Sequence, residues 1–123
     1  MSDYATVYDE ASVIDSANVS GNAKVYGATV VSEKARVRKD AQIYDDAMVY
    51  GNAVVSDDAK VYGNAKVYGA AWVSDDAQVY GNAQVYDEAV VRDTAKVYDD
   101  AKVYDEAMVY DEAIVRGNAI VTE

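Results

Sequence analysis

The stretch AKVYGNAKVYGAAWVSDDAQVYGNAQVY, residues 59–86, repeats one six-residue phrase, and the same period continues through the chain on both sides. From Ala5 to Ala119 every sixth residue is alanine, with Thr29 as the one exception. The residue two positions after each of these is valine, except for Ile43. A short fixed period without insertions is typical of solenoid proteins, and a period of six is typical of parallel β-helices.

Each hexad predicts a short strand followed by a corner. Alanine and valine two positions apart point to the same side of a strand, and valine favours extended backbone. The Gly-Asn, Asp-Asp or Asp-Glu pairs that come next tolerate bends and left-handed backbone. A helix is excluded, because a spacing of two and then four does not keep one helical face over the chain.

The residue that follows each valine indicates that three hexads close one turn. Tyrosine recurs with a spacing of 18 in two of the three slots, as Tyr8, Tyr26, Tyr44, Tyr62, Tyr80 and Tyr98 and as Tyr50, Tyr68, Tyr86 and Tyr104. The third slot has no tyrosine before Tyr110. We therefore expect an all-β fold, a triangular β-solenoid formed by residues 1–123 as a single domain. It would have 18 residues per coil and about 6.7 coils.

The V-x-x-x-A-x hexad resembles the hexapeptide-repeat family over essentially the whole chain, and the VYGNAKVYGNA variant is similar to tyrosine-rich repeat proteins of bacteria and phages. The resemblance implies a single-stranded left-handed parallel β-helix, and the left hand follows from the resemblance alone. The best-known members of that family are acyltransferases, which use a histidine base and a loop extruded from the helix. This chain has no histidine and no break in the repeat. We therefore expect that it is not an enzyme, with an acyltransferase-like protein as the alternative.

Composition limits the other classes of function. The formal net charge of −11 disfavours nucleic acid and anionic membrane as partners. The chain has no cysteine, which excludes disulfides and thiolate metal sites. It shows no apolar run of transmembrane length and no secretory signal in MSDYATVYDEA, so we expect a cytoplasmic protein. Nothing indicates a cofactor or a small-molecule substrate.

The third side of the predicted prism differs from the other two. The residue between alanine and valine is apolar there in four successive coils, at Val54, Trp72, Val90 and Met108. The first side has lysine or glutamine in that slot from Lys24 to Lys96. An exposed apolar stripe that contains tryptophan is typical of an interface. We therefore predict a structural scaffold that forms homo-oligomers through these four residues.

Two other surface patterns suggest binding functions. One corner is acidic on successive coils, and its carboxylates are weak candidates for a divalent cation such as calcium: Asp57, Asp58, Asp75, Asp76 and Asp111. No calcium-loop motif accompanies them, so a solvated acidic edge is the competing interpretation. The tyrosine columns could form a carbohydrate platform or a structural stack. The strict register is also compatible with a consensus-like or engineered solenoid, whereas the irregular first coils favour a natural parent.

Overall fold

The chain winds into coils of 18 residues, each held to the next by parallel strand pairing. A computed structural model describes residues 5–122, and it contains no helix within that range. Each strand, apart from the last one in each sheet, pairs with the strand 18 residues further on, as Lys60 with Gln78 and Val61 with Val79. The predicted solenoid with three hexads per coil is thereby confirmed. The left hand of the helix stays a prediction.

Three parallel sheets form the three sides of the prism, and we call their outer surfaces the first, second and third face. The first sheet consists of β1 (Thr6–Val7), β4 (Lys24–Val25), β7 (Gln42–Ile43), β10 (Lys60–Val61), β13 (Gln78–Val79), β16 (Lys96–Val97) and β19 (Ile114–Val115). The second consists of β2 (Ser12–Val13), β5 (Val30–Val31), β8 (Met48–Val49), β11 (Lys66–Val67), β14 (Gln84–Val85), β17 (Lys102–Val103) and β20 (Ile120–Val121). The third consists of β3 (Asn18–Val19), β6 (Arg36–Val37), β9 (Val54–Val55), β12 (Trp72–Val73), β15 (Val90–Val91) and β18 (Met108–Val109).

We number the coils from the N-terminus by their first alanine. Coils 1 to 6 begin at Ala5, Ala23, Ala41, Ala59, Ala77 and Ala95, and an incomplete seventh begins at Ala113. From coil 2 to coil 6 the repeated alanines and valines are buried and fill the interior. The one buried exception in the alanine column is Thr29, whose hydroxyl donates a hydrogen bond to the carbonyl oxygen of Tyr26. That bond satisfies the only extra polar group that the exception brings into the core.

The corners have one backbone conformation throughout. The first residue of every corner from Asp9 to Gly117 has a positive φ, between 56° and 75°. Glycine or aspartate occupies this position at every corner in that range except those of Glu33 and Lys39, in keeping with the low cost of left-handed backbone for these two residue types. The second residue of most corners donates its amide hydrogen to the next coil, as Asp58 does to the Asp75 carbonyl oxygen at 2.9 Å. The corners therefore add to the hydrogen-bond ladders that join the coils.

Candidate interaction surface

The third face carries the predicted apolar stripe. Val54, Trp72, Val90 and Met108 are direct register partners in successive strands of the third sheet. The side chain of Trp72 is 43% exposed and that of Met108 is 50% exposed, while Val90 is partly buried. On the second face of coil 4 the same position is an exposed lysine, Lys66. The stripe is a real feature of this face, and it is open to solvent around Trp72 and Met108.

Val54 differs from the other three residues, because the protein itself covers it. Its side chain is only 7% exposed, and the neighbouring Ser56 is 2% exposed. Arg38 in coil 2 reaches across coil 3 and places its guanidinium carbon 5.5 Å from the centroid of the Trp72 ring in coil 4. Val54 and Ser56 lie in the coil between them. The surface available to a partner therefore comprises Trp72, Val90 and Met108, without Val54.

A second arginine contacts an aromatic ring further along the third face, in this case in the next coil. The guanidinium carbon of Arg92 lies 5.4 Å from the centroid of the Tyr110 ring, and Tyr110 is 47% exposed. The Nε atoms of Arg38 and Arg92 are buried, and neither has a hydrogen-bond partner among the described residues. The repeat spacing did not reveal these contacts. Only the Arg38 contact has a signal in the sequence: the next two residues of its column, Ser56 and Ser74, are small and leave room for a long side chain.

The tyrosine columns form two continuous stacks on the first and second faces. Ring centroids of successive tyrosines are 4.8 to 5.1 Å apart, and the rings are parallel within 7°. Hydroxyl groups add cross-coil bonds, from Tyr62 to Gln78 Oε1 at 3.1 Å and from Tyr68 to Gln84 Oε1 at 3.2 Å. Within each stack the faces of the rings contact one another. A carbohydrate platform needs exposed ring faces, which the middle of these stacks does not offer.

Burial in these stacks perturbs the ionisation of the phenols. Partial burial, followed by the neighbouring Tyr62 and Tyr26, raises the pKa of Tyr44 to about 12. Burial is also the largest cause of the raised pKa of Tyr26, Tyr50, Tyr62, Tyr68, Tyr80 and Tyr86. A tyrosinate in either stack would carry its charge away from water and close to other phenols. The stacks therefore favour the neutral phenol.

The acidic corner uses its carboxylates to hold the coils together. Oδ2 of Asp57 accepts the amide hydrogen of Asp75 at 3.3 Å, and Asp75 and Asp93 repeat the contact with the next coil at 3.2 and 2.9 Å. Asp58 and Asp76 follow as exposed second corner residues. No group of three or more acidic residues suited to a metal ion occurs within residues 5–122. The candidate ligands Asp57, Asp58, Asp75, Asp76 and Asp111 thus lie along one edge and do not converge on a point.

One lysine lies at the start of this edge. Lys39 Nζ is 3.1 Å from Oδ1 of Asp57. The hydrogen bond from Lys39 is the largest cause that holds the pKa of Asp57 below its usual value of 3.8. The third face and its corner are therefore basic in coil 2, at Arg36, Arg38 and Lys39, and acidic in coil 6, at Asp111 and Glu112.

Comparison with known families agrees with this geometry. The model of the YdcK beta-solenoid repeat matches residues 41–57, 59–75 and 77–93, which are coils 3, 4 and 5. The chain is a β-solenoid repeat protein. The matches cover less than half of it, and the finer resemblance to hexapeptide-repeat acyltransferases stays a prediction. Searches of curated proteins and of solved structures each returned no match. Within residues 5–122, no helix is long and apolar enough to cross a membrane.

Proposed function

We propose that the protein is a non-catalytic scaffold that associates with a second copy of itself through the third face. The observation that carries the proposal is the exposed Trp72 ring at the centre of that face, with Val90 and Met108 beside it in register. Burying such an aromatic anchor and its apolar neighbours is a common source of binding energy between proteins. In coils 4 to 6 the same slot of the other two faces holds lysine or glutamine, which favour contact with water instead.

The distribution of charge supports a second copy as the partner. The third face is basic in coil 2 and acidic in coil 6, and Trp72 in coil 4 lies midway between them. A copy turned end for end about a two-fold axis at Trp72 places Arg36 and Lys39 opposite Asp111 and Glu112 of its partner. A two-fold axis of this kind makes the same patch serve both subunits, which is the commonest arrangement in homodimers. The antiparallel dimer is the form of association that we propose.

The test is the molar mass of the wild-type protein and of Trp72→Asp in solution by light scattering. We expect an oligomer for the wild type and a monomer for the variant, because a carboxylate at the centre of an apolar contact is left unpaired and desolvated. Gln42→Asp is the matched control: it adds the same charge in the same slot of the first face and should keep the wild-type mass. Wild-type protein that is monomeric at every concentration, or Trp72→Asp that associates normally, would contradict the proposal.

A further inference from the structure

The tyrosine stack on the second face begins at coil 3 and does not extend to the first two coils of the prism. Its first ring belongs to Tyr50 in coil 3, which stacks on Tyr68 at 4.8 Å. The preceding position in the column is Ser32 in coil 2, and Ile14 precedes it in coil 1. Among the described residues no ring stacks on the other face of Tyr50. The column of rings therefore has a gap at Ser32, where Tyr50 lacks a second stacking partner, whereas Tyr68 and Tyr86 have rings on both sides.

The floor of this gap is apolar. The Tyr68 hydroxyl donates to Gln84, sixteen residues on, so the rings of this stack lean over the strand of the next coil. By the same geometry, a ring above Ser32 would lie over Met48. Met48 and its register partner Val30 are both partly buried and so offer apolar surface at this place. A planar ring placed here would gain one stacking partner and two apolar contacts.

An acidic recess lies beside the gap. It has a volume of ≈ 430 Å³. Its walls are the corner residues that directly follow Ile14, Ser32 and Tyr50 in the chain, namely Asp15, Ser16, Glu33, Lys34, Gly51 and Asn52. Oδ2 of Asp15 accepts the Glu33 amide hydrogen at 3.3 Å, which fixes the carboxylate at the recess. Gly51 has no side chain to fill the space. After burial, the Glu33 carboxylate is the second cause of the raised pKa of Tyr50, in keeping with its place near that ring.

We propose that this gap and recess bind a small planar aromatic molecule that carries an ammonium group. The ring extends the stack below Tyr50 and covers Val30 and Met48. The ammonium group lies in the recess, where the carboxylates of Asp15 and Glu33 receive it through charge-assisted hydrogen bonds. Two carboxylates against the single cation of Lys34 favour a cationic ligand over an anionic one. The site lies on the second face and does not depend on association through the third.

A second acidic recess in the same protein serves as an internal comparison. It measures ≈ 350 Å³ and lies at the same corner further along the prism, between Asp87, Glu88, Asp105 and Glu106. The tyrosines that precede those corner residues, Tyr86 and Tyr104, stack on each other at 5.0 Å. This second recess has the negative charge, but the tyrosine column beside it has no gap. We therefore expect no aromatic ligand to bind there.

The experiment is a titration of the full chain with tyramine, followed by the chemical shifts of backbone amides. We expect saturable shifts centred on Ser32 and Glu33. Binding of p-cresol, which lacks the ammonium group, and of propylamine, which lacks the ring, should each be about tenfold weaker. Ser32→Tyr should abolish binding by placing a ring in the gap. Glu33→Gln should weaken it about tenfold, while the matched Glu88→Gln should leave it unchanged. Four results would each overturn the proposal: shifts that do not saturate, binding that persists in Ser32→Tyr, p-cresol that binds as well as tyramine, and shifts centred on the second recess.

Discussion

Arg38 lies across the ring of Trp72, with its guanidinium carbon 5.5 Å from the ring centroid, although a whole coil separates their strands. The contact covers Val54 and Ser56 between them and leaves Trp72 partly exposed at the centre of the third face. Because it joins coils 2 and 4 directly, it acts in addition to the backbone ladders. It also determines which part of the apolar stripe is available to a partner.

Replacing Arg38 by serine, the residue found at positions 56 and 74 of the same column, should uncover Val54 and the side of the Trp72 ring that Arg38 covers. We expect a loss of about 0.5–2 kcal/mol in the free energy of unfolding and a red shift of the Trp72 fluorescence. Chemical denaturation followed by fluorescence measures both. Arg36→Ser is the control in the same coil, since Arg36 has no ring contact among those described. Equal losses for the two variants would mean that the contact with Trp72 contributes nothing specific.

Extending the second tyrosine stack by one ring should stabilise the protein. Ser32→Tyr places a phenol below Tyr50 at the spacing of the existing stack, and one added aromatic pair contributes about 0.5–1.5 kcal/mol. The melting temperature should rise accordingly. Ser12→Tyr, in coil 1 of the same face but outside the column, has no ring to stack on and should give no comparable rise. A lower melting temperature for Ser32→Tyr would show that the gap does not accept a ring.

Substitutions at two corner glycines distinguish the destabilisation caused by contact with the next coil from that caused by left-handed backbone. Both Gly81 and Gly117 have positive φ, at 67° and 63°. A Cβ atom on Gly81 would lie 2.8 Å from the Asp99 amide nitrogen, whereas a Cβ on Gly117 would meet nothing within 4 Å. Gly81→Ala should therefore destabilise by about 1–3 kcal/mol more than Gly117→Ala. Thermal unfolding of the two variants checks this difference, and equal melting temperatures would argue against close stacking of the corners.

Aspartate at the same corner position should cost less than alanine. In the third corner, Asp75 tolerates the close approach and accepts the Asp93 amide hydrogen at 3.2 Å. Gly81→Asp would give the Asp99 amide a similar acceptor, and aspartate adopts left-handed backbone more readily than alanine. We expect Gly81→Asp to melt at a higher temperature than Gly81→Ala. The opposite order would mean that a carboxylate at this corner position does not stabilise the contact with the next coil.

Alkaline pH should unfold the protein through its tyrosine stacks. The pKa of Tyr44 is raised from 10.0 to about 12, so the folded state keeps a proton that the unfolded chain loses. Between these values the unfolded state binds fewer protons, and the free energy of unfolding therefore falls as pH rises. The stabilisation is complete below pH 10 and is lost progressively towards pH 12. Tyrosinate absorbance and circular dichroism recorded together should show ionisation coupled to unfolding; phenols that ionise near pH 10 in an intact fold would contradict it.

The hexad determines most of the fold because its constraints are local and repeated. Ala and Val two apart, with a corner after each pair, lead directly to the buried column and the left-handed corners. The spacing of 18 in the tyrosines then predicts both stacks and the alignment of Trp72 with Val90. These features depend on which residues share a column, and columns can be read from a sequence without coordinates.

The remaining features depend on where long side chains turn, which the spacing does not contain. Arg38 could have extended into solvent and instead covers Val54. Only three of the four residues in the predicted stripe are therefore available to a partner. Asp57 and Asp75 suggested a cation site by charge, but their oxygens accept backbone amides of the next coil. The gap at Ser32 becomes meaningful only once a ring of this stack, that of Tyr68, is known to lean over the next coil. In each case the direction of a side chain along the prism decides the outcome.

The molar mass of the unmodified protein as a function of salt tests the proposed self-association most directly. Copies that each carry a charge of −11 repel one another, and the acidic corner lies along the proposed interface. Salt screens this repulsion over roughly 10 Å at 0.1 M and leaves burial of Trp72 intact. We predict an oligomer whose share rises with protein concentration and which persists as salt is added, because salt also screens the attraction between coil 2 of one copy and coil 6 of the other. A monomer throughout, or an oligomer that salt dissociates while Trp72 fluorescence stays unchanged, would contradict the account.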